Sequence, residues 1–135
     1  MLCHLAQENN NKYENKVLYN ALLDSYLLHA RVLYAFFCTP PDERKKDPDG
    51  NIDDVSASQF FDDPTLWLEE KKNLFPKVKH LNKQIHKHLA HLTYTRVTAK
   101  HSWNITEMHM EFEEAYRLFV NLLTDERRKW FVKSA

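Results

Sequence analysis

The segment HKHLAHLTYTR, His86 to Arg96, is the part of the sequence richest in side chains that can do chemistry. It holds three of the chain's eight histidines and ends on an arginine. Histidine titrates near neutral pH and is also the commonest metal ligand. The segment therefore has three possible interpretations: a metal site, an acid–base site, or the polar edges of a helix.

The periodicity predicts that a helix from about Lys77 to Thr95 positions these residues, with Pro76 marking its start. When Ile85 is taken as the centre of its apolar face, the other apolar side chains lie within roughly 40° of it. These side chains are Val78, Leu81, Leu89 and Leu92.

The histidines fall on two different edges of this predicted helix. His88 and His91 share one edge, whereas His86 points to the other side, near Asn82. Arg96 returns to the core side at the helix end, where a cation suits the negative end of the helix dipole. Only His88 and His91 are therefore expected to act together.

The strongest helical pattern runs from Tyr13 to Cys38 and ends before Pro40 and Pro41. Its apolar stripe is predicted to face the core, and it consists of Val17, Leu18, Ala21, Leu22, Leu28, Val32 and Phe36.

Ser25 and His29 fall in the middle of this stripe, with Asp24 and Arg31 at one edge. A buried imidazole needs a hydrogen-bond partner. His29 is therefore expected either to be a satisfied core histidine or to face the third helix and join a cluster with His88, His91 or Asn82.

Residues 39 to 63 form a long polar connection, for which two interpretations stay open: a functional loop, or one that is mobile or merely structural. Within it, Ser56 is predicted to cap a turn that brings Phe60 and Phe61 onto the core. Asp63 and Pro64 read as the start of a short helix. Asn104 caps the next helix, and Thr124 with Asp125 marks a restart or continuation. The prediction is an all-α, up-and-down bundle of four to five helices with a long loop after the first helix.

Composition bounds the remaining possibilities. The 135 residues suffice for one domain, residues 1–12 are expected to be flexible, and 43% apolar content supports a core. Zero formal charge gives no global attraction to nucleic acid or anionic lipid. One glycine rules out phosphate-cradling loops, so no nucleotide cofactor is expected. Two cysteines and no long apolar run predict a cytoplasmic protein without a membrane span.

A metal site is one candidate chemistry, since His88 and His91 at i, i+3 could share an ion. The Glu-x-x-His spacing of di-iron bundles is absent from the sequence, so neither a metal nor another cofactor is predicted.

Metal-independent RNA cleavage is the second candidate, because it needs only a histidine beside cations that stabilise a charged phosphorane. Lys87 and His91 share a helix face, and Arg96 and Arg31 are further cations. Tyr94 could stack on a base.

Two segments, ALLDSYLLHARVLYAFF and LNKQIHKHLAHLTYTR, separated by a polar loop, resemble HEPN-like helical bundles, most closely the abortive-infection branch. The resemblance covers roughly residues 15 to 123. It implies a homodimer that forms a ribonuclease site from an Arg-x(4–6)-His signature. His91 best matches the signature histidine. No arginine precedes it at that spacing: Lys87 lies four residues before His91, Asn82 lies six residues before His88, and Arg96 follows the histidine.

The leading hypothesis is thus a HEPN-like protein that binds or cleaves RNA in stress or phage defence. The predicted catalytic residues are His91 as general acid–base, Lys87 and Arg96 as phosphate partners, and Asn82 as a positioning group. The predicted binding residues are His88, His29, Arg31 and Tyr94. A homodimer is expected also because Trp67, Trp103 and Trp130 exceed what a small core hides. The alternative is a non-catalytic helical interaction protein.

Overall fold

A computed structural model of the protein describes residues 16–43, 45–90 and 103–133. These residues form an all-α bundle without strands, apart from one isolated antiparallel bridge between Lys46 and Ile52, which confirms the predicted fold class. The helices are α1 (Lys16–Cys38), α2 (Pro64–Glu70), α3 (Val78–Ala90), α4 (Ile105–Leu122) and α5 (Asp125–Arg128). Short 3-10 helices occupy Pro41–Glu43, Ala57–Phe60 and Lys71–Asn73. The predicted flexible start, residues 1–12, lies outside the described residues.

The three long helices alternate in direction. Near the start of α3, Glu111 of α4 contacts the backbone of Val78, and near its end His88 contacts Trp103, so α3 and α4 are antiparallel. His88 also contacts Asp24 of α1, far from the end of α1 that packs near the start of α3. The up-and-down arrangement follows from these contacts.

Part of the long connection after α1 packs against the bundle. The Ser56 backbone N–H donates to Gln59 Oε1 at 2.9 Å and begins the 3-10 turn Ala57–Phe60. Phe60 packs edge-on against Phe119 of α4, and Phe61 is buried. The prediction that Ser56 starts a turn carrying Phe60 and Phe61 to the core is confirmed.

An aromatic cluster fills the end of the bundle where α1 stops. Trp67 of α2 is fully buried, stacks on Phe61 with ring centroids 5.8 Å apart, and contacts Phe37 and Phe119. Its indole N–H donates to the carbonyl of Phe37 at 2.8 Å, and the Lys71 ammonium donates to the carbonyl of Cys38. The last carbonyls of a helix have no partner within the helix. Trp67 and Lys71 therefore close the end of α1.

The chain turns into α3 through a backbone conformation that is costly for a side-chain-bearing residue. Phe75, just before Pro76, has φ of 60°, in the left-handed region. Such a residue costs on the order of 1–2 kcal/mol. The Phe75 ring is 1% exposed and contacts Tyr34, Phe37 and Phe112, and burial of a phenyl group contributes roughly 1.5–3 kcal/mol. Burial of the ring thus offsets the backbone strain.

Glu111 of α4 caps the N-terminus of α3 across the bundle. Its carboxylate accepts the backbone N–H of Lys77 at 2.7 Å and that of Val78 at 2.9 Å, and the residue is 7% exposed. A buried carboxylate at a helix N-terminus satisfies orphan donors and suits the positive end of the helix dipole. This side chain fixes the position of α3 relative to α4.

Asn104 caps the start of α4, as predicted. The second hydrogen bond of a capping box, from the Asn104 backbone N–H to the Glu107 side chain, does not form. Asn104 Oδ1 accepts the backbone N–H of Glu107 at 3.2 Å, as expected, but the Glu107 carboxylate pairs with Lys77 at 2.6 Å. At the other end of α4, the Arg128 guanidinium donates to the carbonyls of Val120 and Leu123, each at 3.0 Å. Both ends of α4 are therefore closed by side chains.

Phe36 of the predicted core stripe of α1 packs against the core, in contact with Phe60 and Phe119. The prediction is wrong for Leu18, Ala21, Leu28 and Val32, which are exposed. The helix buries Leu23, Tyr26, Leu27, Ala30 and Phe37, which lie on the side opposite to the predicted stripe.

Within the predicted stripe, Leu18 is 47% exposed, Leu28 49% and Val32 60%. The helix carries apolar residues around most of its circumference, so its periodicity does not single out a face.

The segment Leu18–Cys38 is long and apolar enough to cross a membrane, judged by length and composition alone. The core helix of a soluble protein also passes this test. Leu27 is fully buried in the bundle, but only 28% of this segment is buried, so α1 contributes one side to the core and leaves a second apolar side exposed.

We expect Glu111→Ala to lower the free energy of unfolding by about 2–3 kcal/mol, because two buried backbone N–H groups lose their acceptor. Glu111→Gln keeps one acceptor oxygen and should cost about half as much. Urea denaturation followed by circular dichroism measures both values, with the exposed Glu114→Ala as the matched control on the same helix. An equal loss for Glu111→Ala and Glu114→Ala would contradict the capping role.

Candidate functional site

The structure describes five of the eight predicted site residues. His91, Tyr94 and Arg96 lie outside the described residues, so the roles assigned to them stay predictions. Of the others, Lys87 and His29 are exposed, whereas Arg31, Asn82 and His88 are half-buried.

The prediction that His29 is buried is wrong. Its Nδ1 donates to the carbonyl of Ser25, one turn earlier in α1, at 2.6 Å, and the side chain is exposed. His29 lies in the stripe that was predicted to face the core, and it is exposed because that stripe faces solvent. It joins neither His88 nor Asn82.

His88 instead pairs with Asp24, which was assigned to an edge of α1. His88 Nε2 lies 2.8 Å from Asp24 Oδ1, and the His88 side chain is 18% exposed. The edge of the Trp103 ring system lies against the imidazole, with centroids 5.7 Å apart. The cluster therefore joins α1, α3 and the segment before α4. The sequence placed each member on an edge but contained no signal for the register between the two helices.

A second polar cluster lies in a cleft of about 850 Å³ between α1, α3 and the long connection. Arg31 of α1 lines this cleft together with Asn82 and His86 of α3. The prediction that His86 and Asn82 lie on the same side of α3 is confirmed, since both line the cleft. The spacing of the histidines pointed instead to His88 and His91 on the other edge, so His86 was given no function.

Among the described residues, two of these side chains lack a partner of the expected kind. No carboxylate among the described residues pairs with the Arg31 guanidinium. Asn82 Oδ1 is buried and accepts no hydrogen bond in the part of the chain that the structure describes. Burial, and secondly the positive charge of Arg31, lower the pKa of His86.

The lowered pKa of His86 has a consequence for stability. Because the folded state binds this proton less readily than the unfolded chain does, His86 favours folding above the ordinary histidine pKa and disfavours it as pH falls.

The opposite wall of the cleft carries mixed charge from the long connection, namely Glu43, Lys45, Asp53 and Asp54. Asp54 Oδ2 accepts the backbone N–H of Lys45 at 2.8 Å, and Glu43 faces the ammonium of Lys71. Asp53 is exposed. Beside the two cations Arg31 and Lys45, the described lining therefore carries three carboxylates, so the cleft is not a positively charged site.

Cys38 also lines the cleft, but it is a poor nucleophile. Burial raises the pKa of its thiol, although the nearby Lys71 lowers it in part. The neighbouring Tyr34 has its pKa raised to about 12, mainly by burial. Both groups stay protonated at neutral pH, and a thiol reacts as the thiolate.

No group of three potential metal ligands occurs among the described residues. His88, one half of the predicted pair of ligands, is engaged by Asp24, and His91 lies outside the described part. The geometry therefore offers no metal centre within those residues.

No protein-family model, curated protein or solved structure matches this chain. The resemblance to HEPN-like bundles accordingly remains a prediction.

The His88–Asp24 pair should contribute about 1 kcal/mol to the folding free energy, in the range of a hydrogen bond between two partly buried side chains. A double-mutant cycle with His88→Gln and Asp24→Asn, followed by urea denaturation, measures this coupling. His80→Gln, on an exposed position of the same helix, is the control and should show no coupling to Asp24→Asn. Zero coupling between His88 and Asp24 would contradict the proposed link.

Proposed function

We propose that the protein is a non-catalytic helical interaction module that pairs with a second copy of itself through α1. The observation that supports the proposal most is the exposed apolar side of this helix, where Leu18, Leu28 and Val32 are about half exposed or more. Contiguous exposed apolar surface on a small protein marks an interaction site.

The three tryptophans that led us to expect a homodimer differ in exposure. Trp67 is fully buried within a single chain, Trp103 is half-buried and Trp130 is 66% exposed. The exposed side of α1 offers a larger apolar surface for pairing than Trp130 alone.

The exposed side of α1 has a sequence that is complementary to itself. A two-fold axis at Ser25 would set Leu18 opposite the partner's Val32 and Leu22 opposite the partner's Leu28. Such an isologous contact uses the same residues of both copies and closes after two chains. The small Ser25 at the crossing point allows the two helices to approach closely.

Two features of the surface favour a protein partner over a lipid one. Ser25 and His29 interrupt the apolar side at its centre, which resembles the single polar positions that fix register in paired helices. The opposite side of α1, including Leu27 and Ala30, is buried in the bundle, and insertion of the helix into a bilayer would remove these residues from the core.

Leu18→Glu should weaken self-association at least about tenfold, since a two-fold contact buries the new charge twice. The measurement is molar mass by light scattering across a concentration series. Leu66→Glu is the matched control, because Leu66 of α2 is 43% exposed, close to the 47% of Leu18. His29→Leu should strengthen the dimer by removing a polar group from the contact.

A monomeric wild-type protein at high micromolar concentration would contradict the proposal. Binding of the monomer to lipid vesicles, abolished by Leu18→Glu, would assign α1 to a membrane surface instead.

RNA cleavage, which the HEPN resemblance implies, depends on His91 and Arg96. The interaction module predicts that purified protein in EDTA leaves total RNA and tRNA intact, as does His91→Ala. Cleavage by the wild type that is lost in His91→Ala and retained in His80→Ala would replace the proposal with a metal-independent ribonuclease.

A further inference from the structure

Charge is distributed unevenly along this chain, although its sum is zero. Residues 71–106 contain eight of the 19 lysines and arginines and none of the 19 acidic residues. The rest of the chain therefore holds 11 basic against 19 acidic residues and is negatively charged. Three of the eight cations lie on α3, which contains no aspartate or glutamate. The positive charge of the chain is thus concentrated on and around one helix of the bundle.

The side of α3 that faces solvent carries these cations. Lys79, Lys83 and Lys87 are exposed and lie opposite to the buried Val78 and Ile85. Positions four apart are neighbours on a helix surface, so the three lysines form a row about 12 Å long along the helix axis. We call this surface the basic side of α3, and its exposed residues are Lys79, His80, Lys83, Gln84 and Lys87.

Neighbouring carboxylates leave the basic side uncompensated. None of its three lysines belongs to an ion pair within the part of the chain that the structure describes. Glu107 pairs with Lys77 before the helix, and Asp24 pairs with His88 on another edge. The cleft with its three carboxylates is lined by a different edge of α3, and no residue of the basic side lines it. Like charges at this spacing destabilise a helix, so a partner with several negative charges would relieve their repulsion.

The composition of the basic side favours nucleic acid over a lipid surface. Stable adsorption to an anionic bilayer needs an apolar anchor in addition to a basic patch, and the exposed residues of the basic side are all polar. A phosphodiester backbone, in contrast, is bound by cations alone. One strand of B-DNA carries a phosphate about every 3.4 Å of helix axis, so the row of lysines spans about three phosphates.

The shape of the basic side favours duplex DNA over RNA. It is the convex surface of a helix, and the major groove of B-DNA admits a helix, whereas that of A-form RNA is too narrow. Unpaired bases are bound by stacking on aromatic side chains, and the basic side has no Phe, Tyr or Trp.

We propose that the basic side of α3 binds duplex DNA without sequence preference, through contacts of Lys79, Lys83 and Lys87 with successive phosphates along the major groove. The negative charge of the rest of the chain confines the contact to this side, because it repels the polyanion elsewhere. The proposal goes beyond the pairing of two copies and does not depend on it, since the exposed apolar side of α1 and the basic side share no residue.

Fluorescence anisotropy of a short labelled duplex of mixed sequence, titrated with the full chain at several salt concentrations, tests the proposal. We expect a dissociation constant of about 10⁻⁴ to 10⁻⁶ M at physiological salt, as for other non-specific binding to DNA. Three phosphate contacts for each bound chain predict a slope of about −2.7 for the logarithm of the binding constant against the logarithm of the salt concentration.

Lys83→Gln combined with Lys87→Gln should weaken binding at least about tenfold at low salt and reduce the slope by about 2, because two phosphate contacts are lost. The matched control is Lys45→Gln combined with Lys46→Gln, which removes the same charge from exposed positions of the long connection. This control should keep the slope of the wild type. All four lysines are exposed, so both double variants should fold, which circular dichroism checks.

Equal weakening in the two double variants would overturn the proposal, because binding would then follow net charge and not the basic side. The absence of binding to the duplex at low salt would overturn it as well. Tighter binding of duplex or single-stranded RNA of the same sequence would assign the basic side to RNA instead of DNA. Adsorption to phosphatidylserine vesicles without binding to the duplex would assign it to a lipid surface.

Discussion

The buried carboxylate of Glu111 is the contact on which the positions of the polar side chains depend. It accepts two backbone N–H groups at the first turn of α3 and so fixes where that helix starts against α4. A helix rises 1.5 Å per residue, so a fixed first turn also fixes the height of every later residue. The cap therefore sets the positions along α3, relative to α1, of the polar residues Asn82, His86 and His88.

Other helix ends are closed in a similar way, by side chains from different parts of the chain. Trp67 and Lys71 satisfy the last carbonyls of α1, and Arg128 satisfies those of α4. A short bundle has few residues per helix, so unsatisfied ends make up a large share of its buried polar groups. Capping across elements therefore also determines which helices pack together.

The helix α1 links the fold to the proposed function. One side supplies Leu27 and Ala30 to the core, and the other presents Leu18 and Val32 to solvent. Arg31 lies at the border between these sides and faces the cleft. A helix that is apolar on two sides stabilises the bundle with one of them and leaves the other for a partner.

The sequence by itself determined the helices and the arrangement of residues around α3. The apolar residues of α3 are confined to one side of the helix. The helical period therefore predicts that Val78 and Ile85 are buried and that His86 and His88 lie on different edges. Only the tertiary structure decided which side of α1 is buried and which residues meet across helices. The period of α1 is satisfied by either face, and the pairing of His88 with Asp24 depends on a register that the cap at Glu111 and the packing of Phe75 impose. Local periodicity carries no information about that register, because it arises from contacts between residues far apart in the chain.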